Sequence, residues 1–146
     1  MKGKIRIIMS VCLLAVLILV LPVMNACKEE GVIKIGITQV VSHPALDATR
    51  EGAIAALADN GYVEGDNIEI DYQNSEGDGS LFDTIAEKFV GDNVDVIISI
   101  ATPNTLSAIA AARNTDIPVV FSAITDPVGS GMVASWESHP DENVTG

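Results

Sequence analysis

Three polar residues of this chain each stand directly before a proline and close behind an apolar run: His43-Pro44, Thr102-Pro103 and Asp126-Pro127. Proline suits the first helical turn, because the N–H it lacks would have no partner there. The residue before it can cap the open amides of that turn. Each junction therefore predicts a strand running into a helix, and in a parallel sheet all such junctions share one edge. Helix N-termini gathered there would offer partial positive charge and free donors to a small anionic or zwitterionic ligand. That chemistry is capture rather than conversion.

Each junction also has a plainer use. His43 serves as a helix cap with an exposed imidazole, or, with Thr38 and Gln39 just upstream, as one wall of a ligand crevice. Thr102-Pro103-Asn104 makes a sound helix start whether or not a ligand meets it. The stretch from Phe121 to Pro127 is the richest: Ser122 and Thr125 bring hydroxyls, and Asp126 brings a carboxylate able to take an ammonium group. Asp126 can cap the next helix as well, since a carboxylate has room for several donors.

Motifs for catalysis are missing. Val128-Gly129-Ser130-Gly131 lacks the Lys-Ser/Thr ending of a phosphate loop and follows an acidic residue. No Gly-x-Ser-x-Gly elbow is present, and no cofactor fingerprint or cofactor is implied. His139-Pro140-Asp141-Glu142 has the composition of a surface loop rather than a metal cluster, and Asn143-Val144-Thr145 matches a glycosylation sequon of little weight here.

The elements that must position these residues follow from periodicity. Val32–Ile37 reads as a strand and Pro44–Asn60 as a helix with Leu46, Ala53, Ile54 and Leu57 inward. Asn67–Tyr72 alternates as an edge strand should, and Ser80–Val90 is a helix burying Phe82, Ile85, Ala86 and Phe89. Val94–Ile100, nearly all β-branched, suits a strand covered on both faces. Pro103–Arg113 is a third helix, Pro118 opens a fourth strand, and Pro127 starts a short helical turn reaching about Trp136. Strand and helix alternate throughout, which predicts an α/β doubly wound parallel sheet, Rossmann-like, with four main strands.

Composition bounds the setting. Lys2, Lys4 and Arg6 precede an apolar run from Ile7 to Val23, followed by Asn25-Ala26-Cys27. This is an export leader. Ordinary cleavage or an uncleaved anchor are open alternatives, but the pattern resembles a bacterial lipobox, with residues 1–26 removed and Cys27 acylated. Residues 27–31 then form a tether and 32–146 one domain. Without the leader, five basic residues face 20 acidic ones, a net charge of −15 that disfavours nucleic acid. Cys27 would be the lone cysteine left, so no internal disulfide can form.

In this order the blocks resemble the N-terminal lobe of an ABC-transporter substrate-binding lipoprotein, within the type I periplasmic-binding-protein-like group that includes tryptophan/tyrosine-binding proteins. The resemblance rests on Ile37-Thr38-Gln39, His43-Pro44-Ala45-Leu46-Asp47, Gly61-Tyr62-Val63-Glu64-Gly65, Asp71-Tyr72-Gln73-Asn74, Ile100-Ala101-Thr102-Pro103, the Phe121–Gly129 stretch and Asn143-Val144-Thr145-Gly146. It implies one lobe of a two-lobed clam that captures a solute at the extracytoplasmic face, lipid-anchored or periplasmic, and delivers it to a membrane permease. The second lobe that such proteins carry is absent here, so the resemblance implies a fragment or a truncated reading frame. The solute implied is an amino acid, an aromatic one being the narrower alternative. Thr38, Gln39, His43, Pro44, Ala101, Thr102, Ser122, Thr125 and Asp126 would line its site. An enzyme or a signalling domain on the same Rossmann-like fold is the rival reading. The first would need a phosphate loop or a base–nucleophile pair, and the second an acidic cluster after the first strand, where Val40-Val41-Ser42 stands.

Overall fold

The computed structural model describes residues 31–136 and 143–146. The expected leader, Cys27 with its tether as far as residue 30, and the His139–Glu142 loop lie outside the described residues. Eight elements follow in chain order: β1 (Ile33–Gln39), α1 (Pro44–Asp59), β2 (Ile68–Asn74), α2 (Gly79–Gly91), β3 (Val96–Ile100), α3 (Thr102–Ala112), β4 (Val119–Ser122) and β5 (Val144–Thr145). All pairings are parallel, in the order β2-β1-β3-β4-β5. The doubly wound α/β expectation holds, with one strand more than the four anticipated.

Chain order and sheet order together place the helices. From β1 the chain crosses outward to β2, then back over β1 to β3, and onward to β4. Right-handed crossovers put α1 on one face and α2 with α3 on the other. The packing agrees. Ile35, Ile37, Ile68 and Ile100 form one cluster with Leu46, Ile54 and Leu57 of α1. Ile85 and Phe89 of α2 join Ala108 and Ala112 of α3 over Ile97, Val119 and Val144 in another. Alternation along each strand divides the two sets.

Gly36 of β1 is where α2 comes closest to the sheet. A Cβ there would lie 2.8 Å from the ring of the fully buried Phe89. The close approach, and not a special backbone angle, is what calls for glycine.

β3 is covered on both faces as expected, less tightly on the α1 side: Ile97 and Ser99 are buried under α2 and α3, Ile100 is buried beneath α1, and Val96 and Ile98 are half-buried there. Two sequence expectations need correction. No helix follows Pro127, because Gly129 and Gly131 (φ 73°) break the run into turns. The strand at Val144–Thr145 went unforeseen, being too short to show a period.

On the sheet's outer strand, Lys88 of α2 bonds to Asp71 and, at 2.6 Å, to Asp92. Burial pushes the Asp71 carboxyl up, but the Lys88 ammonium and the Gln73 amide outweigh it and hold it below its ordinary 3.8. The two carboxylates push Lys88 up to about 12. A depressed carboxyl stabilises the fold above its unfolded pKa, and that contribution is lost as pH falls through the lowered value. A raised ammonium contributes below 10.5, and its share is lost as pH climbs through about 12. Both side chains are partly exposed, so Asp71→Asn is expected to cost under about 1 kcal/mol at pH 7. In thermal unfolding the gap between variant and wild type should narrow steadily as pH falls below 3.8. A gap that does not narrow would assign the effect to packing instead.

Candidate functional site

The candidate residues converge on the carboxyl edge of the sheet. Register pairs Gln39, the last residue of β1, with Asn74 at the end of β2 and Ile100 at the end of β3. Ile100 in turn pairs with Ser122, the end of β4. One row thus carries Gln39 and Ser122, with Ala101-Thr102 and His43-Pro44 one step beyond it. The crossovers diverge between β1 and β3: α1 leaves for one face and α3 for the other. Such a switch point opens a crevice.

Three helices begin on this edge, and their N-termini differ. At α1, His43 Nδ1 accepts from Ala45 N–H at 3.3 Å, so His43 is the cap that its place before Pro44 suggests. Asp78 caps α2 by accepting from Ser80 N–H at 2.9 Å, a start that no proline marks. At α3 the cap position falls to Ala101 instead of Thr102, and no side chain bonds there. Thr102 is already the first helical residue. Thr105 N–H reaches Ala101 O at 3.3 Å and Pro103 has no N–H, so the amides of Thr102 and Asn104 remain as the open donors of that turn.

Ala101 itself sits at φ 80°, ψ 153°, a region that glycine alone enters freely. Ala123, just after β4, is also left-handed, at φ 56°. Strain of this kind costs about 1–3 kcal/mol, against roughly 0.5–1 kcal/mol for the added freedom of an unfolded glycine. Ala101→Gly is therefore expected to stabilise the chain by about 1 kcal/mol in urea unfolding. A destabilised variant would mean that the alanine methyl makes a contact worth more than the strain.

Thr38 and Gln39 lie beneath the rim. Thr38 is 2% exposed and faces α3, where Asn104 Nδ2 donates to its Oγ1 at 2.5 Å. Ser75 Oγ, fully buried in the loop after β2, donates to Asn104 Oδ1 at 3.4 Å and to Val40 O at 3.0 Å. The network ties β1, α3 and the β2–α2 loop together under the crevice. Gln39 faces the other way, toward α1. Its Nε2 donates to Val41 O at 2.8 Å and Asp47 Oδ1 at 2.7 Å. That bond from Gln39, with Ser42 and the Arg50 and His43 charges, holds the Asp47 carboxyl below its ordinary value despite some desolvation.

The third junction is looser. Asp126 and Thr125 are exposed and Ser122 half-buried. Asp126 Oδ1 accepts Gly129 N–H at 2.7 Å, closing a turn in which Oδ2 also lies against Gly129. All nine expected residues therefore share one edge, with Thr38 and Gln39 as its frame and the other seven at or above the rim. Asn104, Ser75 and Asp47 were missed as parts of it. Their types are common in helix starts and turns, so only the tertiary contacts single them out. Among the described residues no cluster of metal-ligating side chains occurs, and no helix is long and apolar enough to cross a membrane.

Known proteins are similar to this chain in sequence and fold. A tyrosine-binding protein of Clostridioides difficile is 48% identical over 112 residues, covering 77% of this chain and 32% of that protein. The structure of an ABC domain in complex with L-Trp from Streptococcus pneumoniae is 40% identical with a TM-score of 0.73, covering 80% of this chain and 38% of the other. A leucine binding protein from Thermotoga maritima, 19% identical with a TM-score of 0.54 and coverage of 66% and 29%, shares the fold alone. The chain thus spans about a third of the length of the relatives it matches. The profile described as ABC transporter substrate binding protein matches residues 34–146, nearly the whole of the described fold, and the chain belongs to that family.

Proposed function

We propose that residues 32–146 form one jaw of the solute-binding component of an ABC importer and that its solute is an amino acid, aromatic by preference. The observation that carries this reading is the uncapped N-terminus of α3 at the switch point of the sheet. Two free amides and the positive end of a helix suit a carboxylate, worth about 0.3–1 kcal/mol and more where water is excluded. The solute carboxylate would meet Ala101-Thr102 on one side and the His43-Pro44 turn on the other. Its ammonium group would pair with Asp126, helped by Ser122 or Thr125, with Thr38 and Gln39 as the floor. Relatives named for tyrosine and crystallised with L-Trp support the aromatic preference. The same reading has residues 1–26 removed on export and Cys27 acylated, so that the jaw stands on the outer face of the membrane beside its permease.

A single jaw leaves its solute open to water on one side, so affinity should be low. For this 146-residue chain, titration with L-tryptophan should give a dissociation constant of about a millimolar or weaker. Asp126→Ala is expected to weaken binding tenfold, on the order of 1.4 kcal/mol. An unchanged constant would remove Asp126 from the site. Micromolar binding by this chain would overturn the idea that a second jaw supplies most of the affinity.

A further inference from the structure

The bend after α1 holds the one Asn-Gly pair of the chain, Asn60-Gly61, and both residues are exposed. The fold asks for these two types. Asn60 ends the helix: its backbone N–H reaches Leu57 O at 3.1 Å, and its Nδ2 donates to Ala56 O at 2.8 Å. Gly61 then turns the chain at φ 88°, a left-handed backbone that glycine enters without strain. The same pair is chemically reactive. The backbone nitrogen that follows an asparagine can attack the side-chain carbonyl carbon of that asparagine, and glycine, with no side chain, hinders the attack least.

The turn itself opposes this reaction. At ψ 11° the Gly61 nitrogen lies to one side of the Asn60 amide, and ring closure needs that bond turned. The Gly61 N–H is also committed to Ala58 O at 3.0 Å, and the Tyr62 N–H to Leu57 O at 2.9 Å. From across the bend Asn67 holds both sides: its Nδ2 donates to Gly61 O at 2.7 Å, and its Oδ1 accepts Val63 N–H at 2.7 Å. Residues 58–63 and Asn67 are all exposed, so this turn is of the kind that opens locally while the rest of the fold stays closed.

We propose that Asn60 is a spontaneous deamidation site, reached through local opening of this turn, and that Asn67 is the residue that restrains it. The Gly61 nitrogen bonds to the Asn60 side-chain carbonyl carbon, and the side-chain nitrogen leaves as ammonia with the Gly61 proton. A five-membered imide results, and water opens it at either carbonyl to give aspartate or isoaspartate. The change runs one way. Either product sets a carboxylate where Nδ2 now donates, against the carbonyls at the negative end of α1, and isoaspartate lengthens the backbone besides. The closed turn cannot re-form, and the last turn of α1, whose Leu57 packs on the sheet, is left loosened. None of this depends on which solute the jaw takes.

The test follows the purified 146-residue chain at 37 °C and neutral pH, by peptide mapping with mass spectrometry. Conversion should appear at Asn60 ahead of every other asparagine, with isoaspartate among the products. It should run about tenfold faster in urea above the unfolding midpoint, where no turn restrains it. Asn67→Ala should raise the folded-state rate about fivefold and leave the rate in urea unchanged. Asn67→Asp, which keeps the acceptor for Val63 N–H and loses the donor to Gly61 O, should raise it as well. First conversion at Asn74 or Asn93 overturns the site, and aspartate as the sole product overturns the backbone attack. Equal rates with and without urea overturn the gating by the turn. Folded Asn67 variants that convert at the wild-type rate overturn the restraint; should Asn67→Ala not fold, Asn67→Asp and the wild-type comparison decide.

Discussion

Phe89→Ala is expected to destabilise the chain by about 3–5 kcal/mol, the usual range for emptying a fully buried aromatic position. Phe89 is 0% exposed, and its ring lies on Gly36, where any side chain would collide with it. α2 reaches β1 through this contact, so the cavity would open between the sheet and the helix that crosses it. Little can collapse into it, because β1 is an inner strand, paired on both sides. Domains of this size hold about 5–15 kcal/mol in all, so the variant should be near its unfolding threshold at 37 °C. Gly36→Ala approaches the same contact from the other side, forcing the ring aside at a cost of about 1–3 kcal/mol. Urea unfolding measures both. A loss under about 1.5 kcal/mol for Phe89→Ala would mean that α2 is not held by this contact.

Asn104→Ala should cost about 2–4 kcal/mol and loosen the crevice floor specifically. Asn104 is 1% exposed and stands between two buried hydroxyls, those of Thr38 and Ser75. Its removal leaves the buried Thr38 hydroxyl without its partner, at about 1–3 kcal/mol, takes from Ser75 one of its acceptors, and adds a small cavity. The damage is local in a way that Phe89→Ala is not. Ser75 also bonds to Val40 O, and the Gly77 amide bonds to the same carbonyl at 2.7 Å, so the loop after β2 is hooked onto the end of β1. Hydrogen exchange should quicken at residues 38–43 and 75–78 before the opposite sheet edge responds. Uniform acceleration would show that the network stabilises the whole sheet and does not brace the crevice.

Much of this architecture was legible in the residues, for physical reasons. Pro44 and Pro103 mark helix starts because the backbone leaves proline few other places, and both fall in the first turn of a helix, as expected. Apolar and β-branched runs, with period-two alternation at Asn67–Tyr72, marked the first four strands to within a few residues. The ends were harder. Thr38 and Gln39 extend β1 past its apolar run, and their burial is made tolerable by Asn104, distant in sequence, and by Asp47 and the Val41 carbonyl. Ala101 displaces Thr102 from the cap position through a backbone angle that composition does not reveal. At Val144–Thr145 two residues carry no period, and their placement depends on Asn143, which donates to Thr115 O at 3.3 Å and to Ile117 O. Gly146 then lies so near Phe121 that no side chain fits there. The site was legible as an edge, since parallel topology sends every strand-to-helix junction to the same side. Its frame of Asn104, Ser75 and Asp47 was not, because contact rather than residue type defines it.

Solute binding at the carboxyl edge of the sheet, between the starts of α1 and α3, is tested most directly by amide chemical-shift mapping of the isotope-labelled chain titrated with L-tryptophan. The largest changes should fall at residues 39–45, 101–105 and 122–126, while Lys34, Glu69 and Val94 at the far edge stay still. Saturable shifts centred on that far edge, with the three junctions unmoved, would contradict it.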